Sequence, residues 1–360
     1  MKQGIYFAVA MIWMMTHALA SLASAEEIRY ADVVRDHKLA FPQDHGAHPD
    51  FRTEWWYVTG HVETSSGVPL GFQVTFFRSR TGVGEDSTSK FAPQQILFAH
   101  AAIADPRHGK LSHDEKIARA GFGNHAKVGA MDIALNKWTM KMADNIISTR
   151  ISSKDFSLDL SLTPSQAPIL QGENGYSQKG TNSNQASYYV SFAQVSVTGK
   201  IIIDGKAETV TGKAWFDHEW SSEIMAADVS GWDWLGANLD DGGAVMAFRM
   251  RGADGKAIWA GGTRVIADGR AIKMSPQQIV FTPLETWRSP RTSATYPVAM
   301  RVDVANETFE LRPWMNDQEL DSSRSTGITY WEGATDLIQN KQRVGRGYLE
   351  LTGYAKKLRF

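Results

Sequence analysis

One short segment of this 360-residue sequence has three consecutive ionisable residues between aromatic residues. Residues 215–220 read WFDHEW. In an extended strand, Asp217 and Glu219 share one face, and His218 and Trp220 share the other. We predict that His218 is a catalytic acid or base and that Trp220 shapes its site. A buried histidine with a purely structural role is the alternative.

A second run joins one carboxylate to three consecutive aromatic residues. Residues 48–57 read HPDFRTEWWY, and alternation places Glu54 and Trp56 on one face with Trp55 and Tyr57 on the other. A carboxyl group beside indole rings can have a raised pKa and donate a proton near neutrality. Glu54 is therefore a candidate catalytic acid, and the three rings are candidate ligand contacts. An ion pair between Glu54 and a nearby arginine is the structural alternative.

Two further acids are adjacent to indole rings. Asp233 stands between Trp232 and Trp234, and Glu332 follows Trp331. We predict that Asp233 donates a proton and that these three tryptophans contact an apolar ligand. Aromatic faces also stabilise a carbocation. Core packing is the alternative for each segment.

Composition and motifs exclude several classes of function. The chain has 42% hydrophobic residues, a formal net charge of −1 and no cysteine, so nucleic-acid binding and thiol chemistry are disfavoured. Neither a phosphate loop nor a dinucleotide fingerprint occurs, and His218 lacks the second histidine of a zinc helix. We therefore expect neither a metal nor a cofactor. The 12 Trp, 10 Tyr and 16 Phe residues instead indicate aromatic cores or an apolar cavity.

Strands must position these residues, because turn signals typical of β-hairpins recur along the chain. Asp-Gly pairs occur between apolar or alternating runs at 204–205, 241–242, 254–255 and 268–269. Only the segments 112–119 and 333–341 have patterns that allow a short helix. The sequence predicts a mostly antiparallel, all-β protein.

An internal similarity predicts two domains. Residues 55–62 align with 232–239, and after a shorter turn Phe76-Phe77-Arg78 aligns with Ala247-Phe248-Arg249. This spacing is too long for a solenoid repeat and favours two similar β domains in tandem. Antiparallel sheets of this size avoid free edges by closing into barrels or sandwiches. A barrel of about eight strands has an interior that holds one small ligand, which would explain the aromatic residues. We predict one domain at 26–226 and a second at 227–360.

The first 25 residues have the pattern of a secretory signal peptide. Lys2 precedes an apolar run, and Ala23-Ser24-Ala25 supplies the small residues required for cleavage. We expect cleavage near Ala25 and a periplasmic or secreted product.

Several of these runs together resemble the AttH/CrtC-like lipocalin family, which includes carotenoid hydratases. They lie at 44–64, 71–78, 215–222, 231–242, 330–334 and 347–354. The resemblance implies two lipocalin-like antiparallel β-barrel domains. In the hydratases an acid protonates an isolated C=C bond and water captures the cation, without a cofactor. The family's His-x-Trp element falls on His218 and Trp220, and Asp233 is the nearest analogue of its Tyr-x-Asp acid.

These observations lead to two functional hypotheses. The first is an exported enzyme that hydrates, hydrolyses or cyclises an apolar, terpenoid-like or polyketide-like molecule. The second is a non-catalytic periplasmic carrier of a hydrophobic ligand, or an accessory subunit attached to membrane-transport components. Substitution of Asp233 or His218 separates them, since only the enzyme needs ionisable groups.

Overall fold

In the computed structural model, which describes residues 28–358, almost all regular structure is β-strand. Two 3₁₀ helices, Gln43–His45 and Pro276–Gln278, are the helical elements of those residues. Neither has the length or apolar character needed to cross a bilayer. The predicted signal peptide at 1–25 lies outside the described residues.

The first sheet has thirteen strands, all paired antiparallel, in the spatial order β4-β3-β2-β1-β13-β12-β9-β8-β7-β6-β5, with β10 and β11 paired to β12. These strands are β1 (Thr53–Thr64), β2 (Pro69–Arg80), β3 (Gln95–Ala104), β4 (Ser112–Arg119), β5 (His125–Ala126), β6 (Asp132–Leu135), β7 (Trp138–Ala143), β8 (Ile146–Ser152), β9 (Phe156–Thr163), β10 (Ile169–Leu170), β11 (Tyr176–Gln178), β12 (Ala186–Ile203) and β13 (Lys206–Ser221). The sheet curls until β6 contacts β3 and β4.

The second sheet has ten antiparallel strands in the order β17-β16-β15-β14-β23-β22-β20-β19-β18, with β21 paired to β22. They are β14 (Val229–Leu239), β15 (Ala244–Gly252), β16 (Ala257–Val265), β17 (Ala271–Met274), β18 (Ile279–Arg288), β19 (Thr295–Val304), β20 (Glu307–Pro313), β21 (Glu319–Ser322), β22 (Ile328–Gln339) and β23 (Gln342–Leu351). It curls in the same way, and β18 contacts β15 and β16.

Hairpins build both sheets where the Asp-Gly pairs predict them. The four pairs connect β12 to β13, β14 to β15, β15 to β16 and β16 to β17. Gly205, Gly242, Gly255 and Gly269 all have positive φ angles, which glycine adopts without strain. The two segments with a helical pattern are strands instead. Residues 112–119 form β4 and residues 333–341 fall mainly in β22, because strand pairing overrides a weak local preference.

The two sheets repeat one topology. The order β3-β2-β1-β13-β12 in the first sheet matches β16-β15-β14-β23-β22 in the second. The prediction of an all-β chain with two tandem antiparallel barrels is therefore confirmed. The first sheet ends at Ser221 and the second begins at Val229. The exact domain limits, 26–226 and 227–360, stay a prediction.

Apolar side chains form one core inside each curled sheet and a third between the sheets. The first interior includes Trp56, Val58, Phe72, Phe76 and Phe216, and the second includes Leu235, Tyr296, Phe309 and Trp331. The core between the sheets joins Tyr57, Tyr189 and Trp215 to Trp234, Phe248, Tyr330 and Tyr348. As a result, β1 and β14 are buried on both faces along most of their length. This arrangement places polar side chains of either sheet in the space between them.

Candidate active site

Strand alternation divides the sequence-predicted residues between two places. On β1, Trp56 packs in the interior of the first sheet, whereas Trp55 and Tyr57 pack against the second sheet. On β13, Asp217 and Glu219 line the space between the sheets. The predicted face assignment is confirmed for both strands.

A cavity of about 780 Å³ occupies the space between the two sheets. This volume is typical of a small-molecule site. Its aromatic lining comprises Trp55, Tyr57, Phe77, Phe98 and Tyr189 from the first half and Trp232, Trp234, Phe248 and Tyr330 from the second. The lining residues exposed to solvent are Arg52, Glu223, Ala227 and Lys357, so the cavity opens beside the connection between the sheets.

Two glutamates of the second sheet face each other at the cavity wall. Glu332 on β22 is the direct cross-strand partner of Glu350 on β23, so their side chains project from the same face. Glu332 is fully buried, and its Oε1 accepts a hydrogen bond of 2.6 Å from the Tyr57 hydroxyl. Its Oε2 has no hydrogen-bond partner among the described residues. Glu350 Oε1 accepts a bond of 2.9 Å from Trp232 Nε1.

This glutamate pair favours the protonated form. Burial raises the pKa of Glu332 well above its ordinary value, and the charge of Glu350 raises it further. Burial likewise raises the pKa of Glu350 to about 8, with contributions from the charges of Asp217 and Glu219. Because two carboxylates this close cannot both ionise easily, the pair retains a proton at neutral pH. It can therefore act as a general acid.

Asp217 lies on the opposite wall in a dense hydrogen-bond network. Its Oδ1 accepts bonds from Ser191 Oγ at 2.6 Å and Trp215 Nε1 at 2.7 Å, and its Oδ2 accepts one from the Tyr189 hydroxyl at 2.8 Å. Burial raises the pKa of Asp217 to about 7, although these three donors oppose the shift. The carboxyl can therefore exchange a proton near neutral pH.

Lys179 provides a buried ammonium group at the same wall. Its Nζ lies 2.9 Å from Glu219 Oε1 and 3.0 Å from Ser177 Oγ. The Nζ atom also lies 4.6 Å from the ring centre of Tyr189 and 4.2 Å from that of Phe248. Carboxylate and aromatic faces together stabilise this desolvated cation.

Glu54, a predicted acid, is instead the centre of an ion-pair cluster inside the first sheet. Its Oε1 lies 2.7 Å from His48 Nδ1 and 2.8 Å from His218 Nε2, and its Oε2 accepts a bond of 2.8 Å from Arg78 Nε. Burial alone would raise its pKa, but the histidine hydrogen bonds and the Arg78 charge lower the pKa of Glu54 far below its ordinary value. This shift is opposite to the one expected from the neighbouring indoles. Glu54 is therefore an anion at neutral pH.

His218 and Trp220 lie with Glu54, away from the cavity lining. The His218 ring stacks on Trp56 with centres 4.7 Å apart, and Trp220 stacks on His48 at 3.8 Å. Burial lowers the pKa of His218, against the effect of Glu54. The donor atoms of His48, Glu54 and His218 are close enough to hold a metal ion. Their mutual hydrogen bonds and the Arg78 contact already satisfy Glu54, which favours an ion-pair cluster.

Asp233 is also held by cations and lies outside the cavity lining. Its two oxygens accept bonds from Arg249 Nε at 2.6 Å and Arg251 Nε at 2.8 Å, and Oδ1 accepts one of 3.0 Å from the Tyr354 hydroxyl. The geometry favours a structural role, so its catalytic role stays an untested prediction. Arg249 thus pairs with a buried acid just as Arg78 does, in agreement with the internal alignment of these two arginines.

The structure brings together four of the predicted ligand contacts and separates the rest. Trp55, Tyr57, Trp232 and Trp234 line the cavity. The other three are Trp56, Trp220 and Trp331, which are buried outside the lining. Glu332 follows Trp331 in the sequence but has no predicted role, and no residue pattern predicts the cavity positions of Glu350 and Lys179.

Comparisons with known proteins agree with this architecture. The family model described as AttH-like matches residues 32–354. A crystal structure of a protein from Nitrosomonas europaea assigned to AttH has 49% identity and a TM-score of 0.84, covering 90% of this chain and 99% of its own. Kievitone hydratase from Nectria haematococca has the same fold at 13% identity, with a TM-score of 0.69 and coverage of 91% and 96%. A structure of CghA with Sch210972 has 13% identity, a TM-score of 0.50 and coverage of 85% and 89%. No curated protein matches the chain.

Proposed function

Because the chain belongs to the AttH-like family, we propose that it binds an apolar small molecule between its two sheets and transfers a proton to it without a cofactor. The reaction class that we propose is hydration of an isolated C=C bond in a terpenoid-like or polyketide-like molecule. The observation that carries this proposal is the opposed pair Glu332 and Glu350 at the wall of an aromatic cavity.

Glu332 is the proposed proton donor. Its unpartnered Oε2 is the atom best placed to hold the proton, because Oε1 already accepts the Tyr57 hydroxyl. In the first step the O–H bond of the carboxylic acid breaks, a C–H bond forms at one alkene carbon, and the other carbon becomes a carbocation. The rings of Trp232 and Trp234, which line the cavity, are the proposed stabilisers of that cation.

Water completes the reaction and restores the acid. A water oxygen forms a C–O bond to the carbocation, and its proton passes to the glutamate carboxylate left by the first step. Where Asp217, with its pKa near neutrality, takes this proton first, it must return the proton to Glu332 through water to close the cycle. The cycle consumes one alkene and one water and leaves every protein group in its starting state.

The kievitone hydratase likeness supports the choice of reaction class, since that protein is named for a hydration and has this fold. We also propose export of the chain, on the basis of the leader-like run at 1–25, and delivery of its ligand in that compartment. A hydrophobic molecule is the proposed partner, with membrane-transport components as a further one.

Turnover in heavy-oxygen water tests the proposal. Purified protein is incubated with acyclic terpenoids that carry a terminal trisubstituted alkene, and mass spectrometry follows incorporation of the label. We expect labelled tertiary alcohol from the wild type and none from Glu332→Gln. Glu63→Gln is the matched control, because Glu63 is an exposed glutamate near the C-terminal end of β1, away from the cavity-lining Trp55 and Tyr57. Ligand capture without labelled product in the wild type would favour the carrier hypothesis instead.

A further inference from the structure

The cavity wall carries more acid than its neutral, apolar ligand would require. Five carboxyl groups line it: Asp217, Glu219, Glu332 and Glu350 in its interior, and Glu223 at the exposed opening. Only Glu219 has an ion-pair partner in the described part of the chain, namely Lys179. Glu332 and Glu350 have no lysine or arginine nitrogen within 4.0 Å in residues 28–358, and one buried Glu332 oxygen has no partner at all.

Lys179 indicates which chemical group suits this wall. Its ammonium is buried, contacts one carboxylate and lies over two aromatic rings. The glutamate pair has comparable surroundings, with Tyr57 and Trp232 hydrogen-bonded to its oxygens. The pair differs in one respect: among residues 28–358, no lysine or arginine side chain forms an ion pair with it.

We propose that the Glu332–Glu350 pair binds the cationic centre of an apolar organic amine or quaternary ammonium compound, whose hydrocarbon part occupies the aromatic cavity. This inference rests on the same cavity as the proposed function and adds a second class of occupant, which should inhibit the proposed hydration because it displaces the proton that Glu332 donates. Two carboxylates attract one positive charge strongly in a desolvated site. Aromatic faces favour quaternary ammonium groups for the same electrostatic reason.

Binding of a permanent cation must displace the proton that the pair holds. The empty pair retains a proton because two adjacent negative charges repel each other. A bound ammonium group supplies the compensating charge, so the proton is released to solvent. The other titratable or charged groups of the cavity wall and near the pair are Asp217, Glu219, Lys179, Tyr189 and Arg78 in the first half, Arg52, Glu223 and Lys357 at the opening, and Tyr57, His100, Tyr330 and Tyr348. The four last-named groups stay neutral, since burial raises the three tyrosine pKa values and lowers that of His100 to about 3.

Calorimetric titration of the full chain tests the inference, with dodecyltrimethylammonium as the cation and dodecanol as its neutral counterpart. Titrations in two buffers of different ionisation heat count the protons released. We expect the cation to bind more tightly than the alcohol and to release at least one proton. Its affinity should increase as pH rises toward the pKa of the pair, by up to about tenfold per pH unit for each proton released. The double variant with Glu332→Gln and Glu350→Gln should lose the preference for the cation and still bind dodecanol, and Glu63→Gln should retain it.

Equal affinity for the two compounds, or cation binding without proton release, would overturn the inference. The wild-type proton count decides the matter even where the double variant fails to fold. Failure of the hydration assay together with tight, proton-coupled cation binding would remove the proposed function and leave this inference in place. Turnover of a neutral alkene without cation binding would support the proposed function and overturn this inference.

Discussion

The free energy of unfolding should fall as pH rises, and Glu350 should cause much of this fall. Replacing Glu350 with glutamine should therefore make stability less dependent on pH. Burial and the charges of Asp217 and Glu219 raise the pKa of Glu350 from 4.5 to about 8 in the folded protein. In the unfolded chain Glu350 is exposed and ionises near its ordinary pKa. At a pH between these two pKa values, Glu350 is therefore protonated in the folded state and ionised in the unfolded state.

This difference fixes the sign and the size of the effect. The stabilising contribution is complete below the unfolded pKa and disappears as pH rises through the folded pKa, so the free energy of unfolding falls across that window. One such group changes it by about 1.4 kcal/mol per pH unit, or about 3 kcal/mol between about pH 5 and about pH 7. Glutamine cannot ionise, and its side-chain oxygen can still accept the Trp232 hydrogen bond.

Urea unfolding followed by tryptophan fluorescence measures the effect at several pH values. We expect a wild-type free energy of unfolding that decreases toward alkaline pH and a flatter profile for Glu350→Gln, with the two profiles crossing. Glu63→Gln should follow the wild type, because Glu63 is exposed. Parallel profiles for wild type and Glu350→Gln over this window would show that the pKa of Glu350 is ordinary and that the cavity wall is well hydrated.

Three further predictions concern residues outside the cavity. Glu54→Gln should lower the free energy of unfolding by about 3–5 kcal/mol, because it leaves the buried Arg78 cation unpaired. Urea unfolding should also show a weaker loss of stability below about pH 4.5, since the depressed Glu54 pKa contributes stability that is lost as pH falls. Asp233→Asn should destabilise the fold by a similar amount while leaving dodecanol binding unchanged in calorimetry, and a change in binding alone would contradict the structural role. Mass spectrometry of the exported protein should give a chain that begins after Ala25, and an intact leader would refute the predicted cleavage.

The alternation of side chains along a strand predicts which residues share a face. It does not predict which part of the protein that face packs against. In β1 and β13, alternation separates Glu54 and His218 from Trp55, Asp217 and Glu219, and the structure agrees. Both faces of these strands are rich in aromatic residues, because one packs inside a curled sheet and the other packs between sheets. Only tertiary packing distinguishes the ion-pair cluster around Glu54 from the cavity wall.

The Glu332–Glu350 pair shows why the site itself was hard to predict. The two strands form a hairpin that turns at Asn340 and Lys341, and simple counting from this turn places Glu332 opposite Leu349. A bulge between Leu337 and Ile338 shifts the register by one residue and brings Glu332 opposite Glu350. No residue pattern around Leu337 and Ile338 predicts this bulge.

The bond between Tyr57 and Glu332 joins one sheet to the other at the site of the buried acid. A few ångströms of separation between the sheets would admit solvent and return both glutamates to the strength of ordinary surface carboxyls. Acidity here is thus a property of the docked pair of barrels and belongs to neither half alone. The pKa values of these two groups would consequently report whether the two barrels are packed together, and would detect their transient separation even when each barrel stays folded.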